Sequence, residues 1–139
     1  MSKYIPFQDI KIGETLGPWE ITITKQAMEQ YCKEYDDPNP MYTDNSPFGF
    51  PVVPPAFLAT YWDLRLLHTK YDAHATVPFK TEQEFINPAR VGKRLIANGK
   101  IVDKYVKNGL EYIVIESTLV DEDGILIRKM TDHASLGLE

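Results

Sequence analysis

The strongest constraint on the fold lies in the C-terminal part of the chain, which is almost entirely strand-like. Runs rich in Ile, Val, Thr, Tyr and Phe occupy residues 79–86, 95–106, 110–120 and 125–134. Asn108-Gly109 and Asp123-Gly124 stand at the two later junctions, and tight hairpin turns favour these residue pairs. Consecutive antiparallel strands joined by short turns form a meander. The sequence therefore predicts an antiparallel sheet.

The N-terminal part of the chain predicts a strand followed by a helix. Residues 1–18 are interpreted as a lead-in, because Gly13 and Gly17-Pro18 indicate turns. Residues 19–24 alternate apolar and polar side chains, as a short strand does. Thr24 can then cap a helix. The apolar face of that helix, at spacings of three and four, consists of Ala27, Met28, Tyr31, Cys32 and Tyr35.

A second helix, over residues 54–68, is predicted to be buried. Pro54 and Pro55 fit its first turn, where a missing N–H has no helical partner. The first two turns are apolar almost all round, and polar side chains follow only from Asp63 onward. Together these elements predict an α+β hot-dog fold, with an antiparallel sheet of about five strands wrapped round a central helix. We expect a single domain covering residues 1–139.

Composition limits the classes of partner. Fifteen basic and twenty acidic side chains give a formal net charge of −5, with no basic run or stripe, so nucleic acid is a poor candidate. The single cysteine, Cys32, excludes an intramolecular disulfide and a multi-cysteine zinc site, and it fits a reducing compartment. The start lacks an apolar signal region, and no apolar run approaches the ~20 residues that span a membrane. We therefore expect a cytoplasmic protein without membrane contact.

The segment between the two helices is where chemistry is expected. Pro38 and Pro40 end the first helix, and residues 36–51 are rich in Pro, Asn, Asp, Ser and Gly. Long ordered loops in compact domains are often functional. The run Asp37-Pro38-Asn39-Pro40 also fits a plain turn, in which Asp caps and Asn tolerates unusual backbone angles. Both interpretations stay open on the residues of this run alone.

Three segments resemble MaoC-like (R)-specific enoyl-CoA hydratases. Residues 37–42, Asp-Pro-Asn-Pro-Met-Tyr, are similar to the family's hydratase motif of Asp, any residue, Asn, Pro, an apolar residue and His. Residues 49–58 resemble the start of the family's central helix in a double-proline version. That version is typical of the dehydratase-like domain related to part of type I fatty acid synthase. Residues 87–93 resemble a turn between sheet strands, and the resemblance extends from about Phe7 to Thr131.

The resemblance implies addition of water across the double bond of a trans-2-enoyl thioester, or the reverse dehydration. In the family, Asp and His activate the water and protonate the α-carbon, while a backbone N–H at the start of the central helix polarises the thioester carbonyl. The implied substrate is an acyl-CoA or acyl-carrier-protein thioester, with no cofactor and no metal. Carried over by position, the catalytic residues are Asp37, Asn39 and Tyr42. The substrate-binding residues are Gly49, Val53, Pro54, Pro55 and Phe57.

The chain departs from the family pattern at two of these positions. Tyr42 replaces the motif His, and a phenol with a pKa of ~10 is a poor base at pH 7. Pro55 stands where active hydratases have the Gly that supplies the N–H, and proline has none. Losing the base lowers the rate ~10²–10⁴-fold, and losing the donor lowers it roughly another 10²–10³-fold. Family chains without the His often pair with a sister chain that has it. We therefore expect an acyl-binding subunit of a two-chain hydratase, in a heterodimer with a second hot-dog chain or as a homodimer.

Other functions stay open at this point. A homodimeric hydratase would use Asp37 with Tyr42 as the acid. A thioesterase would use Asp63, although an Asp close to Arg65 in the sequence is more simply a solvated or salt-bridged residue. A non-enzymatic sensor of acyl thioesters would need only the binding part of the site.

The remaining candidate residues have simpler interpretations. His68 and His74 are expected at the surface after the central helix, and His133 at a solvated edge at the end of the last strand. Three scattered His make no metal site. Cys32 is expected to be a buried, inert thiol. The aromatic set is expected in the core, where it can also line an acyl tunnel: Tyr31, Tyr35, Phe57, Tyr61 and Trp62.

Overall fold

The computed structural model describes residues 7–36, 39–43, 46–58, 66–67 and 77–135. Its helices and strands, in chain order, are β1 (Thr15–Thr22), α1 (Lys25–Glu34), α2 (Pro55–Leu58), β2 (Val77–Phe85), β3 (Arg94–Lys107), β4 (Leu110–Asp121) and β5 (Leu126–Ser135). Short 3-10 turns cover Phe7–Asp9 and Pro40–Tyr42. Residues 66 and 67 are also helical. None of the helices in these ranges is long and apolar enough to cross a membrane.

The five strands form one antiparallel sheet in the order β1-β3-β4-β5-β2. The predicted meander is confirmed, because β3, β4 and β5 are neighbours both in sequence and in the sheet. The strands β1 and β2 form its two edges. The chain thus places its longest strands in the middle of the sheet, where both sides are paired.

The two predicted hairpin turns have the backbone geometry that their residues favour. Asn108 and Gly109 have φ values of 53° and 76°, the positive pair that a type I′ turn requires. In the turn between β4 and β5, Gly124 has a φ of 80°, and its N–H donates to the Asp121 carbonyl at 2.9 Å. The carboxylate of Asp121 accepts from the Asp123 N–H at 2.9 Å. The buried Asp121 therefore stabilises this turn by hydrogen bonds, and Gly124 provides the positive φ that the turn needs.

One face of the sheet carries the hydrophobic core. Alternate residues of β4 that point to this face, such as Ile113, Ile115 and Leu119, are almost completely buried. The helices cover them with Met28 of α1, Leu58 of α2, Leu66 and Leu67. The predicted burial of the central helix is confirmed for the described side chains Leu58, Leu66 and Leu67. An antiparallel five-stranded sheet with a central helix on one face is the hot-dog fold, as the sequence predicted.

The helical residue Leu66 lies very close to two glycines of the sheet. A Cβ added to Gly99 of β3 would lie 3.1 Å from Leu66 Cδ1. A Cβ added to Gly17 of β1 would lie 2.9 Å from Leu66 Cδ2 and 3.0 Å from the Ala97 carbonyl oxygen. These distances are shorter than van der Waals contact between carbon atoms, about 3.5–4.0 Å. The absence of side chains at both glycines therefore allows Leu66 to pack directly on the sheet.

The first strand begins earlier than the sequence predicted. Residues 1–18 were expected to form a lead-in with a turn at Gly17-Pro18, whereas β1 starts at Thr15. Gly17 and Pro18 lie in an irregularity of the ladder, where the pairing with β3 shifts between Leu16 and Trp19. In a bulge, one strand has an extra residue that the partner strand does not match. Glycine and proline are common at bulges as well as in turns, so the residues alone do not distinguish the two. The local signal was correct, and its interpretation as a turn was wrong.

The first helix follows the prediction except at its C-terminal end. Thr24 Oγ1 accepts from the Ala27 N–H at 3.1 Å, which confirms the predicted cap. Met28 is buried, and Cys32 is partly buried against the core. Tyr35, which was expected on the apolar face, follows the last helical residue and is 69% exposed. Its ring packs on the ring of Tyr31 in α1, with the centroids 4.7 Å apart.

His133 is not a solvated edge residue, so that prediction was wrong. It lies in β5, which has β4 on one side and β2 on the other, and it is partly buried. Its Nδ1 is 3.1 Å from the Tyr105 hydroxyl, and the Tyr105 ring stacks on Tyr112 with the centroids 5.0 Å apart. The last strand in sequence is not the last strand in the sheet, because β2 pairs outside it.

The contact at Gly17 can be tested against a matched glycine. Gly13 and Gly17 have nearly the same φ, +94° and +96°, but a Cβ at Gly13 would meet nothing within 4 Å. Both Gly→Ala changes introduce backbone strain, whereas only Gly17→Ala also overpacks the core, which typically costs ~1–3 kcal/mol. We expect urea unfolding followed by circular dichroism to show a larger loss of unfolding free energy for Gly17→Ala than for Gly13→Ala. Equal losses would contradict the close approach of the helix.

Candidate active site

Backbone hydrogen bonds join the chain segments that the sequence singled out. The Val52 N–H donates to the Met41 carbonyl at 2.9 Å, which connects the loop after α1 to the segment before α2. The Val91 N–H donates to the Pro51 carbonyl at 3.0 Å, which adds the turn between β2 and β3. All three segments therefore meet next to the first turn of α2.

The turn between β2 and β3 is held on two sides. The Val53 N–H donates to the Ala89 carbonyl at 2.8 Å, so the segment before α2 is bonded to this turn in both directions. On the other side, the Gly92 N–H donates to the Ile23 carbonyl at 2.8 Å. Gly92 has a φ of 89°, a conformation that favours glycine. The position of the candidate site thus depends on backbone contacts and not on side chains that chemistry would use.

Asn39 has a defined structural role in the loop. Its Oδ1 accepts from the Met41 N–H at 3.0 Å, so Asn39 caps the 3-10 turn Pro40–Tyr42. Its φ and ψ of −57° and 123° are ordinary, so the turn does not use the tolerance of Asn for unusual angles. Thr43 closes the turn, because its N–H and its hydroxyl both donate to the Pro40 carbonyl, at 3.1 and 2.8 Å.

Tyr42 lies at the end of this turn. It is partly buried and packs against the hydrophobic core, and its N–H donates to the Asn39 carbonyl at 3.1 Å. The other candidate catalytic residue, Asp37, lies outside the described residues. Asp63, His68, His74, Tyr61 and Trp62 lie outside them too, as does the side chain of Phe57.

The predicted substrate-binding residues fall into two places. Val53 and Pro54 are buried directly after the Val52–Met41 bond, and Pro55 is exposed as the first residue of α2. They therefore follow directly in the chain after Val52, which is bonded to Met41, the residue before Tyr42. Gly49 lies in a separate exposed turn with a φ of 81°, where its N–H donates to the Ser46 carbonyl at 3.0 Å.

Sequence reasoning missed a set of buried polar side chains on the core face of the sheet. Arg128 of β5 is completely buried, and its Nη1 donates to the Leu58 carbonyl in α2. Met130 and Asp132 follow Arg128 on the same face of β5. The Asp132 carboxylate accepts a hydrogen bond from the Thr81 hydroxyl at 2.8 Å. The signal was present, because residues 128, 130, 132 and 134 alternate onto one face and two of them are charged. Arg128 fixes the first turn of the central helix to the sheet.

A groove of about 730 Å³ crosses the opposite, outer face of the sheet. It runs over β2, β5, β4 and β3, and its walls include Glu82, Thr131, Glu116 and Lys100. None of the candidate catalytic or substrate-binding residues whose side chains the structure describes lines this groove. Among the residues that the structure describes, no three His, Cys, Asp or Glu side chains group in a way that could hold a metal ion.

Comparison with known proteins agrees with this architecture. Residues 11–130 match the family described as FAS1-like, dehydratase domain region. The sequence has no significant match among curated proteins.

Solved structures with the same fold include three hydratases or dehydratases. The MaoC-like dehydratase from Rhodospirillum rubrum is 18% identical, with a TM-score of 0.77 over 95% of this chain and 96% of that chain. The (R)-hydratase from A. caviae involved in PHA biosynthesis is 14% identical, with a TM-score of 0.76 over 94% and 99%. The C-terminally truncated HadBC complex, a (3R)-hydroxyacyl-ACP dehydratase from Mycobacterium tuberculosis, is 16% identical, with a TM-score of 0.70 over 89% and 96%.

At these identities the solved structures establish a shared fold, and the family match carries the assignment. That match covers most of the chain and includes β1, both helices, the joined loop segments and nearly all of the sheet. The chain therefore belongs to the FAS1-like dehydratase domain family, and its fold is that of the MaoC-like hot-dog dehydratases.

Proposed function

We propose that this chain is the acyl-binding subunit of a two-chain enoyl-thioester hydratase or 3-hydroxyacyl-thioester dehydratase. One observation carries the proposal: the three segments of the candidate site are joined by backbone hydrogen bonds, but Tyr42 and Pro55 cannot supply the groups that catalyse hydration. The loop, the start of α2 and the turn after β2 are held together by backbone hydrogen bonds. At Tyr42 and Pro55, the sequence lacks the base and the N–H donor that the reaction requires.

The first deficiency concerns proton transfer. Hydration needs a base that takes a proton from water near pH 7. The side chain of Tyr42 packs against the core. A phenol holds its proton at this pH, so it can donate a hydrogen bond and cannot take the role of an imidazole. Tyr42 fits a wall of a binding site better than a catalytic base.

The second deficiency concerns the thioester carbonyl. Addition of water builds negative charge on this oxygen, and a backbone N–H at the start of the central helix would stabilise it. Pro55 is the first residue of α2 and has no N–H. Proline is favourable at this helix position, so it supports the fold while it removes the donor. A sister chain with an intact motif would supply both the base and the N–H.

A two-chain arrangement has a parallel among the structural neighbours. HadBC, a (3R)-hydroxyacyl-ACP dehydratase, is a complex. The second candidate is a homodimeric hydratase that uses Asp37 with Tyr42 as the acid, and a thioesterase that uses Asp63 is the third. Product analysis separates these, because hydration leaves the thioester bond intact whereas hydrolysis releases a free thiol.

The pure chain should be a weak hydratase. With crotonyl-CoA or a longer enoyl-CoA, we expect hydration orders of magnitude slower than with an intact (R)-hydratase, because base and donor are both absent. The loss of enoyl absorbance measures the rate, and a thiol reagent in parallel detects hydrolysis. Fast hydration by the pure chain that Asp37→Asn abolishes would show that the homodimeric alternative is correct.

Restoring both groups should raise the rate more than the single changes together. Tyr42→His supplies a base, and Pro55→Gly returns an N–H, and both act on one transition state. We expect the logarithm of the rate for the double variant to exceed the sum of the single effects. Tyr42→Phe with Pro55→Gly is the matched control, because it removes the hydroxyl without adding a base. Pro55→Gly also loosens the first helical turn, so unfolding free energies are measured alongside. A folded double variant with no gain would favour the plain-turn interpretation of residues 37–42.

The chain should form dimers through a sheet edge and the central-helix region. Two exposed apolar side chains lie at the end of the edge strand β2. Phe85 is its last residue and is 43% exposed, and Ile86 follows directly and is 41% exposed. Covering such side chains favours association. Light scattering after size exclusion should give a mass near twice 15.9 kDa. Phe85→Lys should shift the mass toward the monomer, whereas Ile12→Lys, at a 57% exposed residue outside the strands, should not. A monomer at micromolar concentration would contradict this expectation.

A further inference from the structure

Two aromatic rings and an arginine form an exposed cluster beside the joined segments. The Phe48 side chain is 48% exposed, and its ring centroid lies 6.3 Å from that of Phe50, with the ring planes at 32°. The Arg90 guanidinium carbon Cζ lies over the Phe50 ring, 4.9 Å from the centroid. We call these three residues the Phe48–Arg90 cluster.

The Phe48–Arg90 cluster is held in place by backbone contacts. The Phe48 N–H donates to the hydroxyl of the buried Ser46 at 3.2 Å, which fixes one side of the turn. Arg90 pairs with Val52 in an antiparallel bridge. The Val52 N–H in turn donates to the carbonyl of Met41, the residue before Tyr42. The cluster is therefore a pre-formed surface that is bonded to the candidate site.

The chemistry of the cluster fits a flat base with phosphate groups. Aromatic rings stack on nucleobases, because every base has a π face. A guanidinium that lies over a ring keeps its N–H donors in its own plane, where a phosphate can accept from them. Arg90 supplies the positive charge of the cluster, because nearby Lys93 is paired with Asp123 at 2.9 Å. The pKa of Lys93 is raised by its hydrogen bond and charge interaction with Asp123, and the Arg90 charge opposes that increase.

We propose that the Phe48–Arg90 cluster binds the phosphorylated adenosine of coenzyme A, with the base on Phe48 and a phosphate on Arg90. The inference rests on the proposed function, which supplies a thioester as the ligand. It goes further, because it names CoA and not a carrier protein as the thioester carrier. The arm of a carrier protein has a phosphate and no adenosine. In CoA a pantetheine arm separates the adenosine from the thioester, so one molecule carries both the groups that the cluster would bind and the reacting thioester.

The test is calorimetric titration of the full chain with adenosine 3′,5′-bisphosphate, which contains the base and phosphates but no thioester. We expect saturable binding. Phe48→Ser and Arg90→Gln should each weaken it about tenfold or more, which is within the range of a stacked base or a phosphate contact. Phe48→Tyr should bind like the unmodified chain because it keeps the ring. Arg94→Gln is the matched arginine control, since Arg94 is exposed and pairs only loosely with Glu20, at 3.9 Å.

Two results would overturn the proposal. One is the absence of nucleotide binding, and the other is equal binding by the unmodified chain, Phe48→Ser and Arg90→Gln. Binding of 4′-phosphopantetheine but not of the nucleotide belongs to the first result and would point to a carrier protein. Hydration of crotonyl-N-acetylcysteamine, a thioester without nucleotide, in the presence of the partner chain tests the proposed function separately. Nucleotide binding that the two variants weaken would support the cluster even if that thioester is not hydrated.

Discussion

The backbone bonds that join Met41 to Val52 and Pro51 to Val91 are the contacts on which the candidate site depends. They connect a loop and the start of a helix with a turn of the sheet that is distant from both in sequence. Because the bonds use main-chain atoms, side chains in the three segments can change without loss of the arrangement. The proposed function uses this property, since it requires a site whose shape is kept with Tyr42 and Pro55 in place of a base and an N–H donor.

The start of α2 is also held from inside the core. The buried Val53 and Pro54 continue into α2, whose first turn is fixed to the sheet by the Arg128 guanidinium. A buried guanidinium has to be hydrogen-bonded to be tolerated, and the Leu58 carbonyl provides one partner. Arg128 on the inner face of the sheet thus supports the position of the helix.

Local features were predictable from the sequence, and features that depend on strand order were not. The Asn108-Gly109 turn and the Thr24 cap involve only residues that are close in the chain, so the local sequence was enough to predict them. Gly17-Pro18 gave a true local signal, but a bulge and a turn use the same residues, and only the partner strand distinguishes them. His133 was misplaced because the sequence does not say that β2 pairs outside β5. In the loop, the resemblance identified the segments that meet, while the capping role of Asn39 required coordinates.

The close packing of Leu66 on Gly17 and Gly99 has a consequence for the length of any bound hydrocarbon. At this point the helix and the sheet are in direct contact, so no hydrocarbon chain can pass between the two layers there. A fatty tail that enters beside the first turn of the helix would have to end before Leu66 or bend away from it. The contact of Leu66 with Gly17 and Gly99 would then limit the length of the tail, that is, the number of carbon atoms that fit between the layers.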